Sequence, residues 1–250
     1  MKIDSSDAIA QLCRASQLLV AVDYDGTLAD FSDDPMAATP RPGNAEALQG
    51  LAALPDTDVV VVSGRRMQDL RQLADFGPSV GLVGSHGAET DQGVDIDGAQ
   101  TDLLSAIDIR VNELIADTPG AWVEKKPASR VVHVRQVHGA VQRTKILDLV
   151  RAHMHPVPGL YLTDGKDVLE ISVVQITKGS WLKEARTDQQ TVLFIGDDVT
   201  DESAMEVLTG TDVGVKVGPG DTAANCRLAD TAAVTEFLRD LKDAREQARQ

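Results

Sequence analysis

Asp23 and Asp25 stand one residue apart, directly after the apolar run Leu18–Val22 and directly before Gly26-Thr27. On an extended segment, side chains two apart face the same way, so both carboxylates can address one ligand. Carboxylates this close repel unless a cation or a proton lies between them, which points to an oxygen-seeking ion such as Mg²⁺. Gly26 lets the chain turn behind the pair. Taken alone, the same residues also fit an acidic surface turn in which Thr27 caps a helix. A second group, Ser63-Gly64-Arg65, follows the run Val60–Val62. A hydroxyl and free amides at a helix start make a phosphate cradle, and Ser63 as a simple helix cap fits as well. Lys178 opens a helical pattern; a cation there can neutralise phosphate and steady carboxylates, or sit in solvent. The fourth group is Gly196-Asp197-Asp198-Val199-Thr200-Asp201-Glu202, after the run Thr191–Ile195. Acids clustered at the end of a buried strand are costly unless they hold a metal or each other. The helix dipole accounts for Asp201 and Glu202 better than for Asp197-Asp198.

These groups need a scaffold that gathers strand ends. Short apolar runs ending in turn or polar residues read as buried parallel strands at Leu18–Val22, Asp58–Val62, Val80–Val83, Thr191–Ile195 and Val213–Val217. Helical patterns lie between them at Asn44–Leu54, Met67–Ala74, Lys178–Ala185 and Asp201–Leu208. The alternation predicts an α/β fold with a doubly wound, Rossmann-like parallel sheet and ligands at the carboxyl ends of its strands. The middle of the chain reads differently. A helix at Leu103–Ala116 precedes alternating strands at Trp122–Glu124 and Arg130–Val137; a helix at Gly139–His153 precedes strands at Leu160–Thr163 and Asp167–Ser172. That order predicts a smaller inserted α+β domain over 92–173, leaving 1–91 and 174–250 as the core domain. Thr235–Gln250 reads as a surface helix of alternating charge.

Composition narrows the partners. Across 250 residues, 39 acidic and 24 basic side chains give a net charge of -15, which argues against a general nucleic-acid or anionic-membrane binder. An anionic substrate stays compatible, because a metal and a few local cations outweigh a diffuse field screened within about 8 Å. The two cysteines, Cys13 and Cys226, form no CxxC pair and begin no Cys-x5-Arg loop. No secretory stretch follows the polar first residues, and Leu18–Val22 is far shorter than the ~20 residues a span needs. A cytoplasmic protein is expected, acting as a monomer.

Taken together, the ordered set of DxD, Ser, Lys and clustered Asp resembles the four motifs of the haloacid-dehalogenase superfamily of aspartate-nucleophile phosphatases. An insertion between the second and third motifs resembles the subgroup that carries an α/β cap. Within it, Asp23–Asp30, Ser63–Arg65, Ser85-His86-Gly87-Ala88-Glu89 and Gly196–Glu202 are similar to the trehalose-6-phosphate phosphatase family. So are Glu124-x-Lys126 with His133-x-Arg135, and Gly165-Lys166 with Glu170. One departure is Val134, where that family often has Tyr. The resemblance implies Asp23 as nucleophile and Asp25 as general acid and base. It implies Mg²⁺ held by Asp23, the Asp25 carbonyl and Asp197, with Asp198 and Asp201 as more distant or water-mediated acids. Ser63 and Lys178 would hold phosphoryl oxygens, with Gly64 and Arg65 beside them. Glu124, Lys126, Glu170 and His86 would meet the sugar of a trehalose 6-phosphate substrate.

Three alternatives stand beside this reading. One is a related phosphatase acting on sucrose phosphate or mannosyl-phosphoglycerate, and another is a phosphomutase. The third is a phospho-accepting receiver module, which also gathers acids, a hydroxyl and Lys around Mg²⁺. The long insertion and the second acidic cluster speak against the receiver. No GxGxxG or GxxxxGK[ST] suggests a nucleotide site.

Overall fold

The computed structural model describes residues 2–249. Along the chain, α1 (Ser5–Cys13), β1 (Gln17–Val22), α2 (Asn44–Ala52), β2 (Thr57–Val62), α3 (Met67–Leu73) and β3 (Val80–Val83) come first. Next are α4 (Gly98–Ile115), β4 (Trp122–Lys125), β5 (Ser129–His133), α5 (Ala140–Met154), β6 (Tyr161–Gly165) and β7 (Val168–Ser172). The chain ends with α6 (Lys178–Ala185), β8 (Gln190–Gly196), α7 (Val199–Met205), β9 (Val213–Val217), β10 (Cys226–Leu228) and α8 (Thr231–Ala248). Two compact units result: one contains the residues through Asp91 and those from Ile176 onward, the other Gln92–Gln175.

In the larger unit, six parallel strands run in the order β10-β9-β8-β1-β2-β3. The two-residue period of β1 supplies both faces. Leu18, Val20 and Val22 pack with Leu48, Leu51, Leu238 and Leu241 of α2 and α8. Leu19 and Ala21 pack with Leu182, Ala204 and Met205 of α6 and α7. Helices therefore cover both faces, as a doubly wound sheet requires. Strand order reverses between β1 and β8, the position where such sheets bind ligands.

The smaller unit is an antiparallel sheet ordered β4-β5-β7-β6. One face packs Val132, Leu169 and Ile171 against Ile107 and Val111 of α4 and Ile146 and Val150 of α5. Helix α4 begins ahead of the expected Leu103, because Asp97 and Gln100 form a capping box. Strand β5 stops at His133 rather than Val137; Val134 pairs instead with the Asp167 carbonyl and enters a turn.

Two elements escaped the sequence reading. Helix α1 buries only Ala8 and Leu12, too faint a stripe to register. Strand β10 is a three-residue edge. Helix α8 starts at Thr231, where Asp230 caps it, and the expected end at Gln250 lies outside the described residues. It is a surface helix with one buried face: Val234, Phe237, Leu238, Leu241 and Arg245 are buried, whereas Glu236, Arg239, Asp240 and Asp243 are exposed. Buried Arg245 donates to the carbonyls of Leu12, Ala15 and Asp56 and to Thr57 Oγ1. No helix among the described residues is long and apolar enough to cross a membrane.

Candidate active site

The end of β1 delivers Asp23 into the sheet's carboxyl edge, its amide donating to the Ile195 carbonyl of β8 at 2.9 Å. The chain then turns tightly: Tyr24 O accepts from Leu28 and Ala29, each at 2.9 Å, and Gly26 adopts φ +76°. A side chain at Gly26 would collide with the Asp197 carboxylate, so glycine is required for conformation and for space. No helix begins at Thr27, so the capping explanation of the acidic pair falls away.

Lys178, at the first position of α6 and only 2% exposed, reaches back to this edge. Its Nζ donates to Asp23 Oδ1 and, at 2.6 Å, to Asp201 Oδ1. The other oxygen of fully buried Asp201 accepts from the amides of Asp197 (3.0 Å) and Asp198 (2.9 Å). Asp201 is thus the brace that shapes the acidic turn. Asp198 is exposed and caps α7, accepting from Val199 N. Cap chemistry therefore explains Asp198, whereas the dipole was expected to explain Asp201. Glu202 turns away and accepts from Ala223 N and Thr222 Oγ1.

Carboxylate oxygens of Asp23, Asp197 and Asp201 lie within 4.8 Å of one another. The buried Lys178 ammonium pairs with two of this trio, Asp23 and Asp201. Burial, then the Asp201 charge, pushes the Asp23 carboxyl well above its usual range against the pull of Lys178. Burial, then Asp201 and Asp198, pushes Asp197 up to about 6. Burial alone would lower Lys178, but Asp23 and Asp201 outweigh it and hold the ammonium charged. Asp197 Oδ1 is buried and, among the described residues, has no hydrogen-bond partner. Excess negative charge and an orphaned carboxylate oxygen fit a hard divalent cation. Lys216 also belongs here, donating to the Asp197 carbonyl. Sequence reasoning missed it, although a lone lysine inside the apolar strand Val213–Val217 was a usable signal.

Asp25 does not join the trio through its side chain. Arg65 grips both of its oxygens, Nε to Oδ2 and NH2 to Oδ1, each at 2.6 Å. The guanidinium also donates to the Pro35 carbonyl and lies 5.4 Å from the Tyr24 ring centroid. Ser63 is buried after β2, and its Oγ accepts from Arg65 N at 3.1 Å. Helix α3 starts only at Met67, with Arg66 as its cap residue. Ser63 is therefore not a helix cap, and the expected cradle is the loop Ser63-Gly64-Arg65 rather than a helix start. His86, in the left-handed region at φ 58°, donates its amide to the Ser63 carbonyl. Its ring occupies the space a side chain at Gly64 would need. Glu89 accepts from Met67 N and so anchors the start of α3.

In the smaller unit, Glu124 on β4 is in register with Val131, and Val131 with Glu170 on β7. Both carboxylates therefore project from the sheet face opposite the apolar core. Lys126 Nζ lies 3.4 Å from Glu170 Oε2, and Ser129 Oγ donates to Glu170 Oε1 at 2.6 Å. Lys126 is 8% exposed, so it is no ordinary solvated charge. Buried Arg130 holds this corner from behind, donating to the carbonyls of Lys126 and Ser129 and pairing with Asp108.

Known proteins resemble this chain in sequence and in fold. A family model described as trehalose-phosphatase matches residues 21–232. The chain is 32% identical over 245 residues to the bifunctional trehalose-6-phosphate synthase/phosphatase of Thermoproteus tenax, covering 93% of this chain and 33% of that protein. It is 32% identical over 240 residues to the trehalose-6-phosphate phosphatase of Escherichia coli, covering 91% of this chain and 88% of that one. The chain thus spans about a third of the first relative and most of the second. In fold it matches the C-terminal domain of C. albicans trehalose-6-phosphate phosphatase with a TM-score of 0.79 at 20% identity, covering 97% of this chain and 98% of that domain.

Proposed function

Because the chain belongs to the trehalose-phosphatase family, we propose that it hydrolyses trehalose 6-phosphate to trehalose and phosphate through an aspartyl-phosphate on Asp23. The observation that carries this is the nucleophile's setting: a carboxylate at a strand end, gripped by buried Lys178 and crowded by two further acids. Asp23 attacks the phosphorus while the bond from phosphorus to the sugar oxygen breaks, and Asp25 gives that oxygen its proton. Asp25 then takes a proton from water, which attacks the phosphorus and frees Asp23 and phosphate. Arg65 positions Asp25 through both of its oxygens and releases one of them for each transfer. Lys178 offers positive charge to the phosphoryl oxygens, and the Ser63 hydroxyl donates to them.

The trio fits Mg²⁺, which Asp23, Asp197 and the Asp25 carbonyl would hold. When bound, the ion supplies charge that offsets the carboxylates and the phosphoryl group. Asp201 acts indirectly, keeping Asp197 and Lys178 in place. Phosphate and metal are common to every sugar phosphate, so selection falls to Glu124, Lys126 and Glu170, which accept from and donate to sugar hydroxyls.

A phosphate-release screen over trehalose 6-phosphate, sucrose phosphate, mannosyl-phosphoglycerate and glucose 6-phosphate, with Mg²⁺ or with chelator, tests the reading. Trehalose 6-phosphate should lead, activity should vanish in chelator, and Asp23→Asn should be folded and inactive. Preference for another ester sinks the substrate assignment; turnover by Asp23→Asn sinks the mechanism.

A further inference from the structure

Resting on the sugar-phosphate reading above, we infer that Trp122 and His133 are positioning residues that hold the Glu124 carboxylate for sugar recognition. Trp122 and His133 sit directly opposite each other in the β4–β5 register. Their rings are stacked, with centroids 4.1 Å apart and planes only 4° from parallel. His133 Nε2 meets Glu124 Oε2 at 2.9 Å. Glu124 lies two residues along β4 from Trp122, so all three side chains share the face turned away from Val132 and the apolar core. The stack fixes the imidazole plane, and the imidazole in turn fixes the carboxylate.

Core packing does not account for Trp122. It stands on an edge strand and remains 46% exposed, so what its ring packs on is the His133 imidazole and not the apolar core. A glutamate side chain loses much rotamer freedom on binding, and a carboxylate ordered beforehand spares the sugar that cost. The indole also shields the hydrogen bond between Glu124 and His133 from water on one side. The expected consequence is a change in KM for an ester whose leaving group carries hydroxyls, with little change in the phosphoryl chemistry.

Steady-state kinetics of the full chain with Mg²⁺ test this, using trehalose 6-phosphate and a small aryl phosphate. Trp122→Ala should raise KM for trehalose 6-phosphate about tenfold, equal to about 1.4 kcal/mol, at nearly unchanged kcat. Trp122→Phe should recover most of the loss, and His133→Ala should reproduce it. Aryl phosphate hydrolysis should stay nearly constant in these variants. Because the proposed action runs through Glu124, adding Trp122→Ala to Glu124→Ala should cost nothing further. An equal fall on both substrates, or losses that multiply in the double variant, overturns the proposal. A wild type that prefers another sugar phosphate overturns the substrate reading alone, and the same cycle on that ester then decides the positioning role. A wild type inactive on every sugar phosphate overturns both.

Discussion

Replacing Asp197 with Asn should make the cation-free protein more stable while destroying its function. Burial, Asp201 and Asp198 push the Asp197 carboxyl from an ordinary 3.8 to about 6. At about 1.36 kcal/mol per unit, the ionised side chain costs the folded state about 3 kcal/mol. Because the side chain is only partly buried and water screens it, about half of that is the realistic figure. The unfolded chain gives up this proton first, so the Asp197 contribution to wild-type stability should fall as pH rises from about 4 to about 6 and level off above. Asn keeps the shape without the charge. In chelator at pH 7.5, Asp197→Asn should therefore exceed wild type by about 1–2 kcal/mol, or about 2–6 °C in Tm for a chain this long. Near pH 4 the two should converge. Mg²⁺ should reverse the order: at a hundredfold excess over Kd it stabilises wild type by about 2.7 kcal/mol, and the variant, short of a ligand, far less. Thermal denaturation across pH 4–7.5, with Mg²⁺ and with chelator, reads all of this. A variant less stable than wild type in chelator at pH 7.5, or an equal response of both proteins to Mg²⁺, would refute the reasoning.

Other outcomes follow from the same geometry. Asp25→Asn should lower kcat by about 10²–10⁴-fold with KM little changed, and near-native turnover would place the proton transfer on another group. Protons compete for Asp197, so Mg²⁺ affinity measured by calorimetry should weaken about tenfold per unit as pH falls below about 6; a flat profile would remove Asp197 from the ligand set. Glu170→Ala removes the carboxylate that Ser129 Oγ and Lys126 Nζ meet, so kcat/KM on trehalose 6-phosphate should drop about 5- to 150-fold. The same variant should lose far less on an aryl phosphate, and a parallel loss would assign Glu170 to folding.

Much of this protein follows from local pattern. Strands Val80–Val83 and Val213–Val217 and helix Lys178–Ala185 lie where periodicity places them, because a buried strand or helix stripe declares itself within a few residues. The residues at the strand ends were legible for the same reason: Asp23 and Ser63 follow an apolar run directly, and Asp197 follows one after a single glycine. Pairings were not legible. That Lys178 serves both Asp23 and Asp201, that Arg65 closes on Asp25, and that Gly26 makes room for Asp197 all depend on which strands become neighbours. Residues 155 positions apart along the chain meet only once the β8–β1–β2 order exists. Burial of charge is likewise a tertiary property. Arg245 looked like one more charge on a solvated helix, and Lys216 like an interruption in a strand, until neighbouring carbonyls surrounded their donors. Composition and spacing tell which groups could do chemistry; the low-dielectric, crowded setting that gives Asp23 and Asp197 their shifted acidities exists only in the folded chain.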